Sequence, residues 1–406
     1  MNSLGRNMAS VKLQNRALIL NVLRKVGSIS RLDIANILNL TPAAITIIVN
    51  GMLKEDIVRE VGQLEEDGQR SGRKKVLIDI NYDYKYVIGI NIESDIINIG
   101  VSNLKGEIKA RKKIITDKTL KPEELLKGVA SECMKILWTE NIMKENILGA
   151  GVGIVGPVDR TNGVSLRAYG LWKEKVYVKK ILEEEMNIKV TIDNNVRTLA
   201  LGEMEYHLND SISSMLFVKY GPGIGSTIII DNEIYEGSRD EAGEIGHTVV
   251  DIDGELCRCG KRGCLETVAS NGAIVSKVSN IFSEKDTPSL YNLTNGDKNN
   301  IDLDNINQAV KGGDTRVKEI LDNALFYLAL AIGNTINIID PYSIVLYGEI
   351  FKNEYVLGHL IDHLKKLTCI ENPEEAVCIS ALNKKSNYIG AIALALREFF
   401  YNIGGM

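Results

Sequence analysis

The sequence predicts an α/β protein in which an N-terminal winged helix-turn-helix precedes a two-lobed α/β body. The first observation is a change of pattern near residue 80, where helical periodicity and two strand-like runs give way to longer β-rich series. The second observation is that this later series begins twice, which predicts two lobes of similar build. With 406 residues and 45% hydrophobic content, the chain can form ~2–3 domains with cores of their own. The predicted boundaries are 1–80, 81–200 and 201–406, and the last part includes a C-terminal helix that returns to the first lobe.

Three helices are predicted in the N-terminal part. Apolar residues recur at helical spacing from Val11 to Lys25. Ser30 is a suitable N-cap for a second helix over Arg31–Leu38, and Thr41 caps a third helix that opens with Pro42. The short break before the third helix is typical of a helix-turn-helix, whose second member enters the major groove of DNA. From this helix we predict DNA contacts by Thr41, Pro42, Ala43, Ala44 and Thr46.

A β-hairpin wing is predicted after the third helix. Strand-like runs at 57–61 and 75–80 flank a polar segment punctuated by glycine. Its basic residues, expected to contact phosphates or the minor groove, are Arg70, Arg73 and Lys74. Residues 1–80 carry 12 Lys/Arg and 8 Asp/Glu, a balance of +4, whereas the remainder carries 36 and 45, a balance of -9. This asymmetry favours a polyanionic partner for the N-terminal part, although a winged helix used for protein contacts is the alternative.

The rest of the chain carries two similar series of strands and helices. The strand-like runs of the first series are 86–92, 96–102, 108–115 and 147–154, with an amphipathic helix at 122–138. Those of the second series include 215–220, 226–230 and 343–347. Two such halves around a cleft are typical of the actin-like ATPase fold. The polar segment 283–305 is predicted to be a surface excursion.

A cysteine-rich motif indicates a metal site in the second half. Cys257, Cys259 and Cys264 fall within eight positions, and His247 stands ten residues before the first of them. Thiolates and imidazole suit zinc, and four protein ligands leave no open position, so we predict a structural zinc ion. The alternative is a disulfide or a set of unrelated cysteines. However, only one residue separates Cys257 from Cys259 in the sequence, which is a short spacing for an ordinary disulfide bridge. The other cysteines, predicted to be buried thiols, are Cys133, Cys369 and Cys378.

Two other classes of function are disfavoured. No apolar run reaches the ~18 residues that a membrane helix needs, and residues 1–10 lack the apolar core of a signal peptide. We therefore expect a cytoplasmic protein without membrane insertion. Residues 151–156 match the Gly-x-Gly-x-x-Gly pattern of dinucleotide sites. Because Pro157 follows at once and 159–163 is turn-like, no helix N-terminus is expected there to hold a pyrophosphate.

The Glu-x-Gly-His of 244–247 and the Cys-x-Cys-Gly-x-x-Gly-Cys-x-Glu of 257–266 resemble the ROK family of repressors and sugar kinases. The resemblance covers nearly the whole chain, because a winged helix joined to a ROK domain is the layout of the xylose-repressor-like and the glucose or N-acetylglucosamine repressors. It implies that His247 and the three cysteines hold zinc. It also implies that Glu244, His247 and Glu266 line a sugar pocket.

The resemblance breaks at the positions that carry catalysis in ROK kinases. Residues 190–203 resemble a stretch in which the kinases have Asn-Asp, the Asp being the base that takes the sugar hydroxyl proton. Here the pair is Asn194-Asn195, and an amide can bond a hydroxyl but cannot accept its proton. The phosphate loop corresponds to 91–95, which lacks glycine, and the Gly-Gly turn corresponds to 347–349, Tyr-Gly-Glu. These departures imply that Asn194 and Asn195 bind a sugar without its phosphorylation.

The first hypothesis is a sugar-responsive repressor of carbohydrate-utilisation genes. It would bind a near-palindromic operator as a homodimer, with a tetramer as the alternative assembly. The second hypothesis is an active ATP-dependent ROK sugar kinase with a DNA-binding appendage. The third is a repressor controlled by a protein partner. The layout favours xylose as the monosaccharide effector, while glucose, other hexoses and acetylated amino sugars fit the same polar groups.

Overall fold

The computed structural model describes residues 8–64, 75–206, 213–370, 372–384 and 387–405. The chain forms two compact units. The first comprises residues 1–205 and 386–406, so it contains the N-terminal module, the first lobe and the C-terminal segment. The second comprises residues 206–385.

The N-terminal module has three helices and a small antiparallel sheet. Its elements are α1 (Met8–Val26), β1 (Ile29–Ser30), α2 (Arg31–Leu38), α3 (Pro42–Lys54), β2 (Val58–Leu64) and β3 (Lys75–Ile80). The strand order is β1-β3-β2, and both pairs are antiparallel. Helix α3 is bent by 119° from the direction of α2, which is the geometry of a helix-turn-helix followed by a wing. The predicted wing residues Arg70, Arg73 and Lys74 lie outside the described residues.

Both predicted helix caps are present. The hydroxyl of Ser30 accepts a hydrogen bond from the Asp33 backbone N–H at 3.2 Å, and that of Thr41 accepts from the Ala44 N–H at 3.3 Å. Each bond satisfies a backbone donor that the first turn of a helix leaves unpaired. The caps therefore fix where α2 and α3 begin.

A buried arginine joins α1 to the C-terminal segment within the first unit. The side chain of Arg16 is 2% exposed; its Nε donates to the Gly404 carbonyl at 2.8 Å, and its terminal nitrogens bind both carboxylate oxygens of Glu55. Gly404 has φ +70°, and a Cβ there would lie 2.7 Å from the Arg16 Cβ. About two turns further along α1, Arg24 pairs with Glu205 and lies over the ring of Tyr401 at 4.7 Å. The module is thus anchored to the end of the chain.

The first lobe is built on a five-stranded sheet. Its elements are β4 (Tyr86–Ile92), β5 (Ile96–Asn103), β6 (Ile108–Ile115), α4 (Pro122–Thr139), β7 (Ile147–Ile154), β8 (Val158–Asp159), β9 (Val164–Ser165), α5 (Val178–Met186), β10 (Val190–Asn194) and α6 (Asn195–Tyr206). The sheet order is β10-β7-β4-β5-β6. Strands β4, β5 and β6 form an antiparallel meander, and β7 and β10 run parallel to β4.

The second unit repeats this topology. Its elements are β11 (Met215–Tyr220), β12 (Ile224–Ile230), β13 (Glu233–Ile234), α7 (Leu265–Ala269), α8 (Asn271–Ile281), α9 (Pro288–Leu293), α10 (Leu303–Lys311), α11 (Thr315–Ile339), β14 (Ser343–Tyr347), α12 (Glu354–Leu367), α13 (Pro373–Ala376) and β15 (Val377–Ile379). The sheet order β13-β12-β11-β14-β15 again combines an antiparallel meander with two parallel strands. The predicted α/β class with two lobes of actin-like build is confirmed. The last helix, α14 (Tyr388–Leu396), is buried along its whole length in the first unit.

Two expectations about individual segments were wrong. The polar segment 283–305 contains α9, whose Leu290 is fully buried in the core of the second unit, and the Asp314 carboxylate accepts from the first backbone N–H groups of that helix. Polar composition concealed these core positions. Cys133 is buried as predicted, but Cys369 and Cys378 are exposed. Cys378 lies on β15, an edge strand of the sheet in the second unit.

The glycine-rich run at 151–156 belongs to a strand and its turn. It overlaps β7 and is followed by the short strand β8, and no helix begins there, as the sequence predicts. Within the part of the chain that the structure describes, no single helix has the length and hydropathy to cross a membrane, although α2 and α3 pass that test when taken together.

Candidate functional site

Four potential metal ligands converge in the second unit. The ligand atoms of His247, Cys257, Cys259 and Cys264 all lie within 4.8 Å of one another. The Cys257 sulfur is 3.6 Å from His247 Nδ1, and the Cys259 sulfur is 3.6 Å from the Cys264 sulfur. Cys257 and Cys264 are buried, whereas the other two ligands are partly exposed. The four side chains that the sequence motif names could therefore hold a metal ion.

Glycines allow the cysteine loop to fold on itself. Gly263 has φ +68°, and a Cβ there would lie 1.4 Å from the Asp251 carbonyl oxygen. Gly260 has φ +93°, a conformation that side chains with a Cβ rarely adopt. These two turns bring Cys264 back beside Cys259, so the spacing of the motif follows from backbone geometry.

Burial keeps two of the thiols protonated unless a cation replaces the proton. It raises the pKa of Cys264 to about 12 and raises that of Cys257 above its ordinary value. Metal binding releases such protons because the thiolate is the ligand. The cluster could therefore hold a dication, whose binding would displace these protons.

Glu266 lies between the cysteine loop and a β-hairpin turn. Its carboxylate is gripped by Arg258, with Nε 2.8 Å from Oε1 and a terminal nitrogen 2.9 Å from Oε2. The same carboxylate accepts from the Ile224 backbone N–H at 3.3 Å. A Cβ on Gly223 would lie 2.5 Å from Glu266 Oε2, so glycine at this turn permits the approach. Only 11% of the Glu266 side chain is exposed, and its position is closely defined.

Glu244 precedes a single 3-10 turn that ends at His247, one of the four potential metal ligands. The turn spans Ile245–His247, and the His247 backbone N–H donates to the Glu244 carbonyl at 3.0 Å. A Cβ on Gly246 would lie 1.9 Å from the Ile224 carbonyl oxygen, so the turn packs directly on β12. Glu244 is exposed and His247 half-buried. The predicted sugar residues of this unit therefore lie on elements that pack against one another: this turn and α7.

Asn194 is the N-cap of α6 in the first unit. Its Oδ1 accepts from the Val196 backbone N–H at 2.7 Å, and its Nδ2 donates to the Gly156 carbonyl at 2.9 Å. The adjacent Asp193 is 2% exposed and pairs with Arg160 and Arg197. These contacts fix the junction of β10 and α6, where the two asparagines predicted to bind sugar stand.

Asn195 is buried beside a carboxylate that the sequence reasoning did not assign to the sugar site. It is 2% exposed, and its Nδ2 lies 3.4 Å from Glu93 Oε1. The same oxygen accepts from Asn91 at 3.3 Å and from Asn387 at 3.2 Å. Asn91 is fully buried, and no hydrogen-bond partner of its Oδ1 is present among the described residues. Glu93 thus orients three amides from separate parts of the first unit.

The predicted DNA-contact residues lie at the start of α3. Thr41, Pro42, Ala43 and Thr46 are exposed, and Ala44 is partly exposed. The Thr46 hydroxyl donates to the Pro42 carbonyl at 2.7 Å, while the Thr41 hydroxyl serves as the helix cap. Ile47 and Asn50 share this exposed face, and the sequence analysis missed them. Their spacing of four and seven residues from Ala43 was the available signal.

The fold and these sites define a class of protein: a two-lobed body of the actin-like, sugar-kinase type that carries a winged helix-turn-helix at its N-terminus. The model of the ROK family matches residues 87–398. This is well over half of the chain, and the chain belongs to the ROK family.

Relatives match both parts of the molecule. The chain is 28% identical over 402 residues to the xylose repressor of Caldicellulosiruptor bescii, covering 97% of this chain and 98% of that protein. It is 27% identical over 407 residues to the DNA-binding transcriptional dual regulator NagC of Escherichia coli, covering 98% and 96%. The crystal structure of a ROK family transcriptional regulator, a homologue of the E. coli MLC protein, has a TM-score of 0.77 at 21% identity, covering 96% and 99%. A ROK family glucokinase from Streptomyces griseus has a TM-score of 0.66 at 23% identity over 76% of this chain and 98% of its own. At these identities the solved structures establish the shared fold.

Proposed function

We propose that this protein is a sugar-responsive transcriptional repressor that binds operator DNA through its winged helix and does not phosphorylate the sugar. The observation that carries the proposal is the combination, in one chain, of a helix-turn-helix with an exposed α3 and a sugar-kinase-like body. The family resemblance assigns Asn195 to the position of the kinase base. The two relatives, one named a xylose repressor and the other a DNA-binding transcriptional dual regulator, match both parts over nearly their whole length. This supports a function that uses both.

Each unit carries polar groups that suit sugar hydroxyls. In the first unit they are Asn194 and Asn195, and in the second they are Glu244, His247 and Glu266. Amides offer both donors and acceptors, and carboxylates offer acceptors, which is the set that a polyol requires. Asn195 is held by Glu93 and Glu266 by Arg258, so these groups are fixed before a ligand binds. Such preorganisation lowers the entropy lost on binding.

The metal proposed for the cysteine cluster is zinc in a structural role. Two sulfurs bound tetrahedrally to zinc lie about 3.8 Å apart, and a sulfur and an imidazole nitrogen about 3.6 Å apart. The 3.6 Å separations in the cluster are close to both values. When bound, the ion would fix the cysteine loop and hence Arg258, without taking part in a reaction. One zinc per chain in metal analysis of the purified protein is the expected result.

The phosphorylating alternative is disfavoured by the residues around Asn195. An uncharged amide there cannot act as the base. The resemblance aligns Glu93 and Asp95 with the phosphate loop of ROK kinases, where carboxylates would repel phosphate anions. We expect no ADP release with ATP, magnesium and a panel of monosaccharides. ADP release that depends on one sugar would overturn this part of the proposal.

The proposal is tested by fluorescence anisotropy of labelled DNA from upstream of the coding region, titrated at fixed salt with xylose, glucose and N-acetylglucosamine. Release by one sugar supports an inducer-controlled repressor and identifies its effector. A sugar can change DNA affinity only as far as its own affinity differs between the DNA-bound and the free protein, typically by ~1–3 kcal/mol. The Kd for DNA is therefore expected to change about 5- to 150-fold. Tight binding that no sugar alters would favour control by a protein partner.

The assembly proposed for DNA binding is a homodimer. A two-fold axis matches the two half-sites of a near-palindromic operator. Sedimentation of the protein with a duplex of one full site should give two chains per duplex. Four chains per duplex would favour the tetramer, and one chain would contradict both.

A further inference from the structure

The exposed face of α3 has an unusual composition for a helix that enters the major groove. Four exposed residues follow the i, i+3, i+4, i+7 spacing of a single helical face: Ala43, Thr46, Ile47 and Asn50. The opposite face packs into the module through Ile45, Ile48, Val49 and Met52. The helix contains no arginine, and its one lysine, Lys54, is in the last turn. Bidentate recognition of guanine by arginine or lysine is therefore not available over most of this face.

Two side chains of this face, Ile47 and Asn50, are exposed to solvent and available to contact a ligand. Ile47 is 72% exposed. An exposed isoleucine is ordinary by itself, but this one stands midway along the presented face. The hydroxyls of Thr41 and Thr46 are already bonded within the helix. In contrast, the exposed carboxamide of Asn50 has no hydrogen bond to any of the described residues, so its donor and acceptor are available to a ligand.

Building on the DNA-binding function proposed above, we infer that α3 recognises adenine and thymine: Asn50 binds an adenine through N6 and N7, and Ile47 packs against the 5-methyl group of a thymine. A carboxamide matches the donor and acceptor that adenine presents in the major groove, and an apolar side chain matches the thymine methyl. Side chains at positions i and i+3 have Cβ atoms about 5–6 Å apart. That distance spans adjacent base pairs, which stack about 3.4 Å apart.

The experiment uses the full-length protein to select sites from randomised duplexes and then alters single atoms of the selected bases. Each thymine is replaced by deoxyuridine, which lacks the methyl group, and each adenine by 7-deazaadenine, which lacks N7. In the wild-type protein, deoxyuridine at one position per half-site should weaken binding about fourfold, as expected for one buried methyl group. Deazaadenine at a neighbouring position should weaken binding about tenfold.

The variants assign each effect to a side chain. Ile47→Ala should abolish the sensitivity to deoxyuridine, and Asn50→Ala the sensitivity to deazaadenine, because the partner is already missing. The matched controls are Ile37→Ala and Asn36→Ala, which remove exposed side chains of the same types from α2. Both controls should retain both sensitivities.

The outcomes separate this inference from the proposed function. Selection of DNA without sensitivity to either base analogue, or sensitivities that persist in Ile47→Ala and Asn50→Ala, would overturn the inference and leave the repressor function standing. Failure to select any duplex would overturn both.

Discussion

The guanidinium of Arg258 binds both carboxylate oxygens of Glu266, with Nε 2.8 Å from Oε1 and a terminal nitrogen 2.9 Å from Oε2. Because Arg258 stands between Cys257 and Cys259, its side chain links the loop of proposed metal ligands to a carboxylate proposed to bind sugar. Substitution Arg258→Ala should let this carboxylate reorient and weaken the sugar response. We expect the sugar concentration for half-release of DNA to rise about tenfold, the effect of losing one charged hydrogen bond. Anisotropy titrations measure this change.

The control for this prediction is Arg262→Ala, which removes an exposed arginine from the same loop. It should leave the titration unchanged, and both variants should bind DNA normally without sugar. An equal loss in the two variants would mean that the net charge of the loop, and not the contact with Glu266, is what matters.

Loss of a single metal ligand should release the ion and destabilise the second unit. Cys264→Ser replaces a fully buried ligand, and we expect less than one zinc per chain and a Tm lower by about 5 °C or more. Cys369→Ser, at an exposed cysteine outside the cluster, serves as the matched control. Unchanged metal content in Cys264→Ser would contradict the proposed ligand set.

A carboxylate at position 195 should repel Glu93. Asn195→Asp replaces a buried amide that lies 3.4 Å from Glu93 Oε1, and neighbouring like charges raise the pKa of one carboxyl group. A raised pKa in the folded state favours folding at low pH, so the loss of Tm should be about 5 °C at pH 8 and smaller at pH 5. Thermal unfolding at both pH values measures the effect.

Removal of the other charge tests the same contact. The double variant Glu93→Gln, Asn195→Asp carries one carboxylate, as the wild-type protein does, and should regain most of the lost Tm. A double variant less stable than Asn195→Asp would show that Glu93 does not repel the introduced group.

The anchor formed by Arg16 should make stability depend on acid. Hydrogen bonding from Arg16 holds the pKa of Glu55 below its ordinary value of 4.5. The stabilisation of the folded state by this contact is therefore fully present above pH 4.5, and it is lost as the pH falls through the lowered pKa of Glu55. Arg16→Met should lower the free energy of unfolding by about 1–3 kcal/mol at pH 7, with a smaller difference at pH 3.5. Urea unfolding at the two pH values provides the measurement, and a difference independent of pH would exclude Glu55 as the partner.

Local patterns in the sequence predicted much of the fold. The largely apolar runs at 86–92 and 215–220 coincide with strands, because such runs are typical of strands buried on both faces. Ser30 and Thr41 each cap a helix by accepting a hydrogen bond from a backbone N–H three residues later. Both partners of such a contact lie in one short stretch of sequence. The cysteine cluster was predictable for the same reason, since its turns are set by glycines inside the motif.

Contacts between distant residues could not be predicted. Glu93 and Asn195 are separated by 102 positions, and only the pairing of the strands that precede them with β7 brings the two side chains together. The exposure of Asn50 to a ligand depends on which face of α3 packs against the rest of the module, and this is not apparent in the local sequence. The wing residues lie outside the described residues, so their contact with DNA stays a prediction.

The bond between Arg16 and Gly404 spans 388 positions, which sets an order of events during synthesis. A ribosome adds about 5–20 residues per second, so about 20 to 80 seconds pass between translation of the two residues. For most of that interval the nascent N-terminal module has Glu55 available to Arg16 but lacks the C-terminal turn against which α1 packs. Its final packing is therefore reached only after Gly404 has been made, which couples maturation of the module to synthesis of both lobes that precede this residue.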